Sequence, residues 1–122
     1  MQKPQLLKDF KAAYDAMDHI ALSNLFADEV NFKGTADTEY RHVLRQDIAE
    51  YFGNFVAKRN RQSVDLLFDT LEREDNVLRI NAVFRFVNKG QTEEQEKPIS
   101  FEMSVNDQDG AAQICEFGSS PR

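Results

Sequence analysis

The sequence is poor in residues that crosslink a chain or bind metals. Its 122 residues include one cysteine, two histidines and no tryptophan. A single thiol, Cys115, excludes an intramolecular disulfide and a cysteine-based zinc site. The separation of His19 and His42 matches no metal-ligand motif, and no phosphate-binding or dinucleotide-binding glycine pattern occurs. We therefore predict no metal and no cofactor.

Basic side chains and long apolar runs are also scarce. Lys and Arg total 15 against 21 Asp and Glu, which gives a net charge of −6 at pH 7. Nucleic acid is therefore not an expected partner, because its phosphates favour clustered Lys and Arg. No run approaches the roughly 18–20 apolar residues of a membrane span, and residues 1–5 lack a signal-peptide stretch. We expect a cytoplasmic protein folded as one domain over residues 1–122.

Helical periodicity is confined to the first half of the chain. Apolar residues recur at steps of three and four from Leu6 to Met17 and again from Ile48 to Val56. A shorter helix between them is predicted to extend to Phe26, with the Asp18 carboxylate capping its first N–H groups. A short extended segment at residues 30–32 separates this helix from the third one.

Period-two alternation governs the second half, from Ser63 onward. One face of the strand predicted from residue 77 carries Leu78, Ile80, Ala82, Phe84 and Phe86. Polar turn signals at residues 72–76, 88–90 and 106–110 separate about four strands. Helices grouped ahead of such a meander predict an α+β fold, with the helices on one face of a curved sheet.

Several short segments resemble, in the same order, the nuclear transport factor 2-like superfamily. Residues 25–30 (LFADEV) are similar to the end of its second helix, and residues 47–52 (DIAEYF) to its third. Pro98-Ile99 and residues 116–118 match its last two strands, whereas a glycine common before the third helix is Leu44 here. The resemblance, to the SnoaL-like and ketosteroid isomerase-like branch, implies a cone-shaped antiparallel sheet with three helices on its concave face.

The residues that ketosteroid isomerases use are absent from the matching positions. Those enzymes need a proton-moving carboxylate, a tyrosine and a protonated aspartic acid that together handle the proton and the oxyanion. An ungapped match puts Gly34, Phe10 and Ser100 in these three roles. We therefore do not expect ketosteroid isomerisation.

The strand around Glu102 has two registers with opposite consequences. If the match at Pro98 holds, Ser100 and Glu102 face the cone cavity, where desolvation suits the carboxylate to proton transfer. The apolar row at residues 99, 101, 103 and 105 then faces outward and needs a cover, such as a second copy of the chain. The other register buries that row and leaves Glu102 on the surface.

The catalytic candidates are Glu102, Tyr14 and His42. Tyr14 either presents its hydroxyl to the cavity or completes the apolar stripe of the first helix. His42 falls just before the third helix, at the expected cone mouth, where Asp37 and Glu39 could orient its imidazole; the alternative is ordinary loop polarity.

We predict that the cone binds a small, largely apolar molecule and that the chain forms a homodimer through its outer sheet face. The sequence leaves open whether acid–base turnover, such as isomerisation, cyclisation or dehydration, accompanies binding. The alternative is a non-catalytic, dimeric protein-interaction module whose cavity is filled by side chains of the ten phenylalanines. The predicted ligand-binding residues are Phe10, Tyr51, Phe55, Ile80, Phe84, Phe86, Ser100 and Phe117.

Overall fold

The computed structural model describes residues 3–108 and 111–122. Its helices are α1 (Lys3–Asp15), α2 (His19–Ser23) and α3 (Arg45–Lys58). Its strands are β1 (Phe26–Lys33), β2 (Arg41–Leu44), β3 (Arg59–Glu74), β4 (Val77–Asn88), β5 (Gln95–Gln108) and β6 (Ala111–Pro121). The turn predicted at 106–110 falls partly on residues 109 and 110, which lie outside the described residues. None of the helices described is long and apolar enough to cross a membrane.

The apolar stripes of α1 and α3 meet over the sheet. Phe10 of α1 and Phe52 of α3 are 1% and 6% exposed, and their rings meet edge to face. Phe10 also stacks on Phe117 of β6, with 5.7 Å between the ring centroids. The backbone N–H of Val64 in β3 donates to the Asp15 carboxylate at the end of α1 at 2.9 Å. Burial of the stripes and this hydrogen bond hold the helices on one face of the sheet.

Helix α2 is capped as predicted but ends early. The Asp18 carboxylate accepts a hydrogen bond from the N–H of Ala21 at 3.0 Å. The helix ends at Ser23, whereas the sequence predicted that it would extend to Phe26. Phe26 instead begins β1 and pairs with Ile114 of β6, so the segment that resembled the end of a family helix forms an inner strand.

The strands form one six-stranded sheet in the order β2-β1-β6-β5-β4-β3. Neighbours pair antiparallel except β1 and β6, which run parallel, with Phe32 opposite Phe117. The predicted α+β class and curved sheet are confirmed, but the sheet is mixed rather than wholly antiparallel. β2 was not predicted, and it pairs with β1 with His42 opposite Asn31.

The register of β5 buries its apolar row. Ile99, Phe101, Met103 and Val105 are each 2% exposed or less. Of the two registers considered for this strand, the one with Glu102 inside is therefore wrong, because it would turn four large apolar side chains toward water, and the one that buries the apolar row is observed. With that row inside, the outward apolar surface from which the homodimer was inferred is absent from this strand.

Candidate functional site

A cavity of about 670 Å³ lies between the helices and the inner face of the sheet. The alternative of a cone filled by the chain's own side chains predicts no space of this size. Volumes of about 300–1,000 Å³ are typical of sites for small molecules. Nine aromatic side chains from six elements line it: Tyr14, Phe32, Tyr51, Phe52, Phe55, Phe84, Phe86, Phe101 and Phe117.

Local periodicity explains why so many rings reach one space. On α3, Tyr51 and Phe55 are four residues apart, so they share a helix face, and their centroids are 5.2 Å apart. On β4, Phe84 and Phe86 alternate onto the inner side of the strand. Tyr14 of α1 stacks on Phe84 at 5.0 Å, which joins the helical wall to the sheet wall.

A buried arginine is the most unusual polar group in the lining. Arg59 is the first residue of β3 and is 9% exposed. One of its terminal nitrogens, Nη1, donates to the Tyr14 hydroxyl at 2.8 Å and to Gln62 Oε1 at 3.0 Å. Gln62 in turn donates to the backbone carbonyl of Tyr14 at 2.8 Å. These bonds tie the end of α1 to the start of β3 at the cavity wall.

Burial keeps two cavity tyrosines protonated. Desolvation raises the pKa of Tyr14 above its usual value, although the adjacent Arg59 acts in the opposite direction. Desolvation also raises the pKa of Tyr51, with a smaller contribution from the Asp37 carboxylate. Both tyrosines line the cavity, and their hydroxyls are neutral groups able to donate a hydrogen bond.

The charged groups of the lining are mostly basic. Lys58, Arg59, Lys97 and Arg122 line the cavity, and Glu96 is the one acidic residue among the described lining residues. The Glu96 carboxylate already pairs with Arg85. The site is therefore rich in positive charge although the whole chain carries a net charge of −6.

Most of the aromatic residues predicted for the site do line the cavity. The structure places Tyr14, Tyr51, Phe55, Phe84, Phe86 and Phe117 there. Phe10 and Ile80, also predicted, are 1% and 2% exposed but lie in the packed core and are not part of the cavity lining. Their predicted role in ligand contact is corrected, because neighbouring rings such as Phe101 separate Phe10 from the open space.

The polar candidates lie elsewhere. Glu102 and Ser100 are on the outer sheet face, where Glu102 pairs with Arg79 and Ser100 donates to Asn81 Oδ1 at 2.9 Å. Neither lines the cavity. The strand's two-residue side-chain period excludes both once the apolar row faces inward.

His42 is also outside the cavity. Its Nε2 lies 2.8 Å from Glu29 Oε1, and both side chains are mostly exposed. The expected partners of the imidazole were Asp37 and Glu39, but strand pairing between β1 and β2 brings Glu29 to it instead. The pair is a solvated cross-strand contact, so His42 is not in position to act on a molecule in the cavity.

Two important lining residues were not predicted. Phe101 belongs to the apolar row that faces outward in one of the two registers considered, and it was not among the predicted ligand-binding residues. Arg59 lies in a polar run after α3, and a register shift between Arg59 and Arg61 interrupts the alternation that Gln62 and Val64 continue. Extending the two-residue pattern back from Val64 predicts Gln62 and then Asn60 on the inner face. Arg59 does not fit this pattern, because the register shift lies between Arg59 and Arg61.

Within residues 3–108 and 111–122, no group of His, Cys, Asp or Glu side chains could hold a metal ion. The lining offers aromatic surface, neutral hydroxyls and guanidinium or ammonium groups. Such groups can bind an apolar molecule and donate hydrogen bonds to an oxygen atom on it.

Comparison with protein families and curated proteins finds no match to this chain. Solved structures do match. A protein from Catenulispora acidiphila with a ketosteroid isomerase-like fold, solved in complex with trimethylamine, superposes with a TM-score of 0.78 at 18% identity. The match covers 95% of this chain and 84% of that one.

Two further structures extend the likeness. A nuclear transport factor 2-like superfamily protein from Salmonella enterica gives a TM-score of 0.78 at 15% identity, covering 96% of this chain and 86% of that one. A candidate polyketide cyclase from Xanthomonas campestris gives 0.76 at 15% identity, covering 98% and 89%. At these identities the likeness establishes the fold and leaves function to be argued from the site.

Proposed function

We propose that this chain, which has the nuclear transport factor 2-like fold, binds a small, largely apolar molecule with aromatic character in its cavity. The observation that carries the proposal is the space of about 670 Å³ lined by nine aromatic side chains. Each buried square ångström of apolar ligand surface contributes roughly 25 cal/mol, so a wall of this composition favours apolar rings over polar metabolites. Rings also gain from edge-to-face contacts with the lining.

Proteins with this fold support the binding of a small molecule, although not of one ligand class. One was solved with the small molecule trimethylamine, and another is a candidate polyketide cyclase. Those ligands and reactions belong to those proteins. This chain has only the fold in common with them. The proposed ligand class is inferred from the side chains that line its own cavity.

Binding is better supported than acid–base turnover. The carboxylate that was expected to move a proton, Glu102, is on the opposite sheet face. Among described lining residues the sole carboxylate, Glu96, is neutralised by Arg85. Tyr14 and Tyr51 are suited to hold a polar atom of the ligand by hydrogen bonds, and their raised pKa values make them poor bases at neutral pH.

A homodimer and a cytoplasmic location stay predictions. One solved structure with a similar fold is a candidate calcium/calmodulin-dependent protein kinase II association domain from Xanthomonas campestris. It supports oligomerisation as a property to test in this chain. The outer sheet face is nonetheless polar around Glu102 and Ser100, so a dimer there would rest on hydrogen bonds and ion pairs rather than on an apolar row.

Calorimetric titration with a neutral arene, 2-acetylnaphthalene, tests the proposal. We expect saturable binding and a rise in Tm, because a molecule that binds only the native state must stabilise it. Ala36→Trp, at an exposed lining position, should block the cavity and weaken binding.

The matched control is Ala57→Trp. Ala57 is an exposed alanine on α3 that does not line the cavity, so the same added ring there should leave binding unchanged. If neither neutral nor charged arenes bind the native chain, or if both tryptophan variants bind equally well, the proposal is wrong.

A further inference from the structure

The guanidinium of Arg59 is held in a way that leaves one edge free. Its central carbon lies over two aromatic rings, 4.1 Å from the centroid of Phe86 and 4.7 Å from that of Phe55. Cation–π contacts of this kind restrict the movement of the group. The side chain therefore cannot turn freely to find a partner in solvent.

Among the described residues, the side-chain hydrogen bonds of Arg59 all leave from one terminal nitrogen. Nη1 donates to both Tyr14 and Gln62, which uses its two hydrogens. Nε and Nη2 donate to no residue among those described. No fully buried side-chain nitrogen in the described ranges lacks a partner, so Nε and Nη2 each keep some accessible surface. Arg59 is one of the residues that line the cavity.

The charge of Arg59 has no counterion in the described part of the chain. A charged group buried in a protein is usually paired with an opposite charge, because burying an isolated charge costs much free energy. Within residues 3–108 and 111–122, ion pairs within 4.0 Å join Arg45, Arg61, Arg79 and Arg85 to carboxylates, but none involves Arg59. The lining around it adds Lys58, Lys97 and Arg122. An anion entering the cavity would meet unneutralised positive charge.

We infer that the cavity binds an aromatic carboxylate, whose two oxygens accept hydrogen bonds from Nε and Nη2 of Arg59. This inference rests on the proposed function and specifies its ligand class. A planar carboxylate matches the two parallel N–H groups at that edge of the guanidinium. The rings next to Arg59, Phe55 and Phe86, are part of the aromatic lining, so the hydrocarbon part of the ligand extends into the cavity while its charged end stays at β3.

A matched pair of probes, 2-naphthoate and 2-naphthamide, tests the inference on the native protein. The two differ in charge but hardly in shape. At pH 7 we expect the acid to bind about tenfold to hundredfold more tightly in calorimetric titration, as a charge-assisted, two-bond contact should. Equal affinity for the two probes would overturn the carboxylate assignment while leaving apolar binding intact.

Variants of Arg59 test whether this residue causes the higher affinity for the acid than for the amide. Arg59→Gln removes the charge and should abolish the preference for the acid, with the Kd of the amide changing less than about threefold. Arg59→Lys keeps the charge but loses the planar pair of donors, so its preference should fall between those of the native protein and of Arg59→Gln. Far-ultraviolet circular dichroism checks that both variants are folded.

The control is Arg61→Gln, two residues along the same strand. Arg61 is 68% exposed in its side chain and pairs with Glu94 at 3.7 Å, outside the cavity. Its loss should leave the acid-to-amide ratio unchanged. A ratio that survives in folded Arg59→Gln, or falls equally in Arg61→Gln, would overturn the inference. If neither probe binds native protein, the proposed function itself fails, which is a separate result.

Discussion

The two faces of strand β5 differ sharply although their residues alternate along one segment. On the inner face, Phe101 and Met103 are 2% exposed or less, and Phe101 lines the cavity. On the outer face, Ser100 and Glu102 are partly exposed and bond to polar groups of β4. The residue best suited to proton chemistry therefore lies on the face away from the cavity, and a one-residue register difference decides this.

The charges of the two faces differ as well. Outside, Arg79 pairs with Glu102 and Arg85 pairs with Asp65. Inside, Arg59 bonds to a hydroxyl and an amide and has no carboxylate partner among the described residues. The outer face completes its own ion pairs, whereas the inner face presents a positive charge to the cavity. This contrast indicates that the inner face is the one organised for a ligand.

Truncating the inner row should have the largest effect. Phe101 contacts the rings of Phe10, Phe84 and Phe117 at centroid distances of 5.1–5.6 Å. Phe101→Ala should lower the free energy of unfolding by about 3–5 kcal/mol, as expected for a buried phenylalanine. Urea unfolding measures this, with Ser100→Ala on the outer face as the control. Equal destabilisation by both variants would contradict the assignment of the faces.

At alkaline pH, the free energy of unfolding should depend more strongly on the inner Tyr14 than on the outer Tyr40. Burial raises the pKa of Tyr14, so the unfolded chain loses this proton first, above about pH 10. Stability is fully present below that pH and falls as pH rises toward the folded-state pKa, by about 1.4 kcal/mol for each unit of elevation. Tyr14→Phe should therefore show a shallower loss between about pH 9 and 11 in urea unfolding.

The control for this titration is Tyr40→Phe. Tyr40 is 42% exposed, and its ring packs over Gly118, next to the Glu102 side of the sheet. Its pKa is also raised, by partial burial and then by Glu102, but solvent screens these effects more strongly. A pH profile that flattens more in Tyr40→Phe than in Tyr14→Phe would argue against the placement of Tyr14.

Changing the outer carboxylate should have the smallest effect. Glu102→Gln removes a solvated pair with Arg79, which contributes little because water and salt screen it. We expect the urea midpoint and the affinity for 2-acetylnaphthalene to stay close to the native values. A large loss of affinity in calorimetric titration would show that Glu102 acts on the ligand after all.

Much of the fold was predictable because each element carries its own period. The three- and four-residue spacing around Phe10 and Phe52 places both on buried helix faces, and the alternation through Phe84 and Phe86 places both on one side of β4. The early end of α2 was missed. Phe26 fits a helical stripe as well as a strand, and only its pairing with β6 decides between them.

The site was predictable in its aromatic part and missed in its polar part. Rings are recognised by the same periodicity that builds the core, so Tyr51 and Phe117 were found. Arg59 escaped because a register shift breaks the alternation just before Gln62, and because a lone arginine in a polar run resembles any solvated residue. Its burial comes from Tyr14, Phe55 and Phe86, which are distant in sequence or on other elements.

The sequence by itself determined which residues are apolar, where the period changes from helix to strand, and that aromatic side chains would dominate any interior. These are local properties, because each follows from spacing within a single segment. The tertiary structure alone decided which face of β5 lines the cavity, that β6 runs parallel to β1, and that Arg59 lies among rings with no carboxylate partner in residues 3–108 and 111–122. Those outcomes depend on pairing and packing between segments far apart in the chain, which minimise exposed apolar surface over the whole fold rather than within any one element.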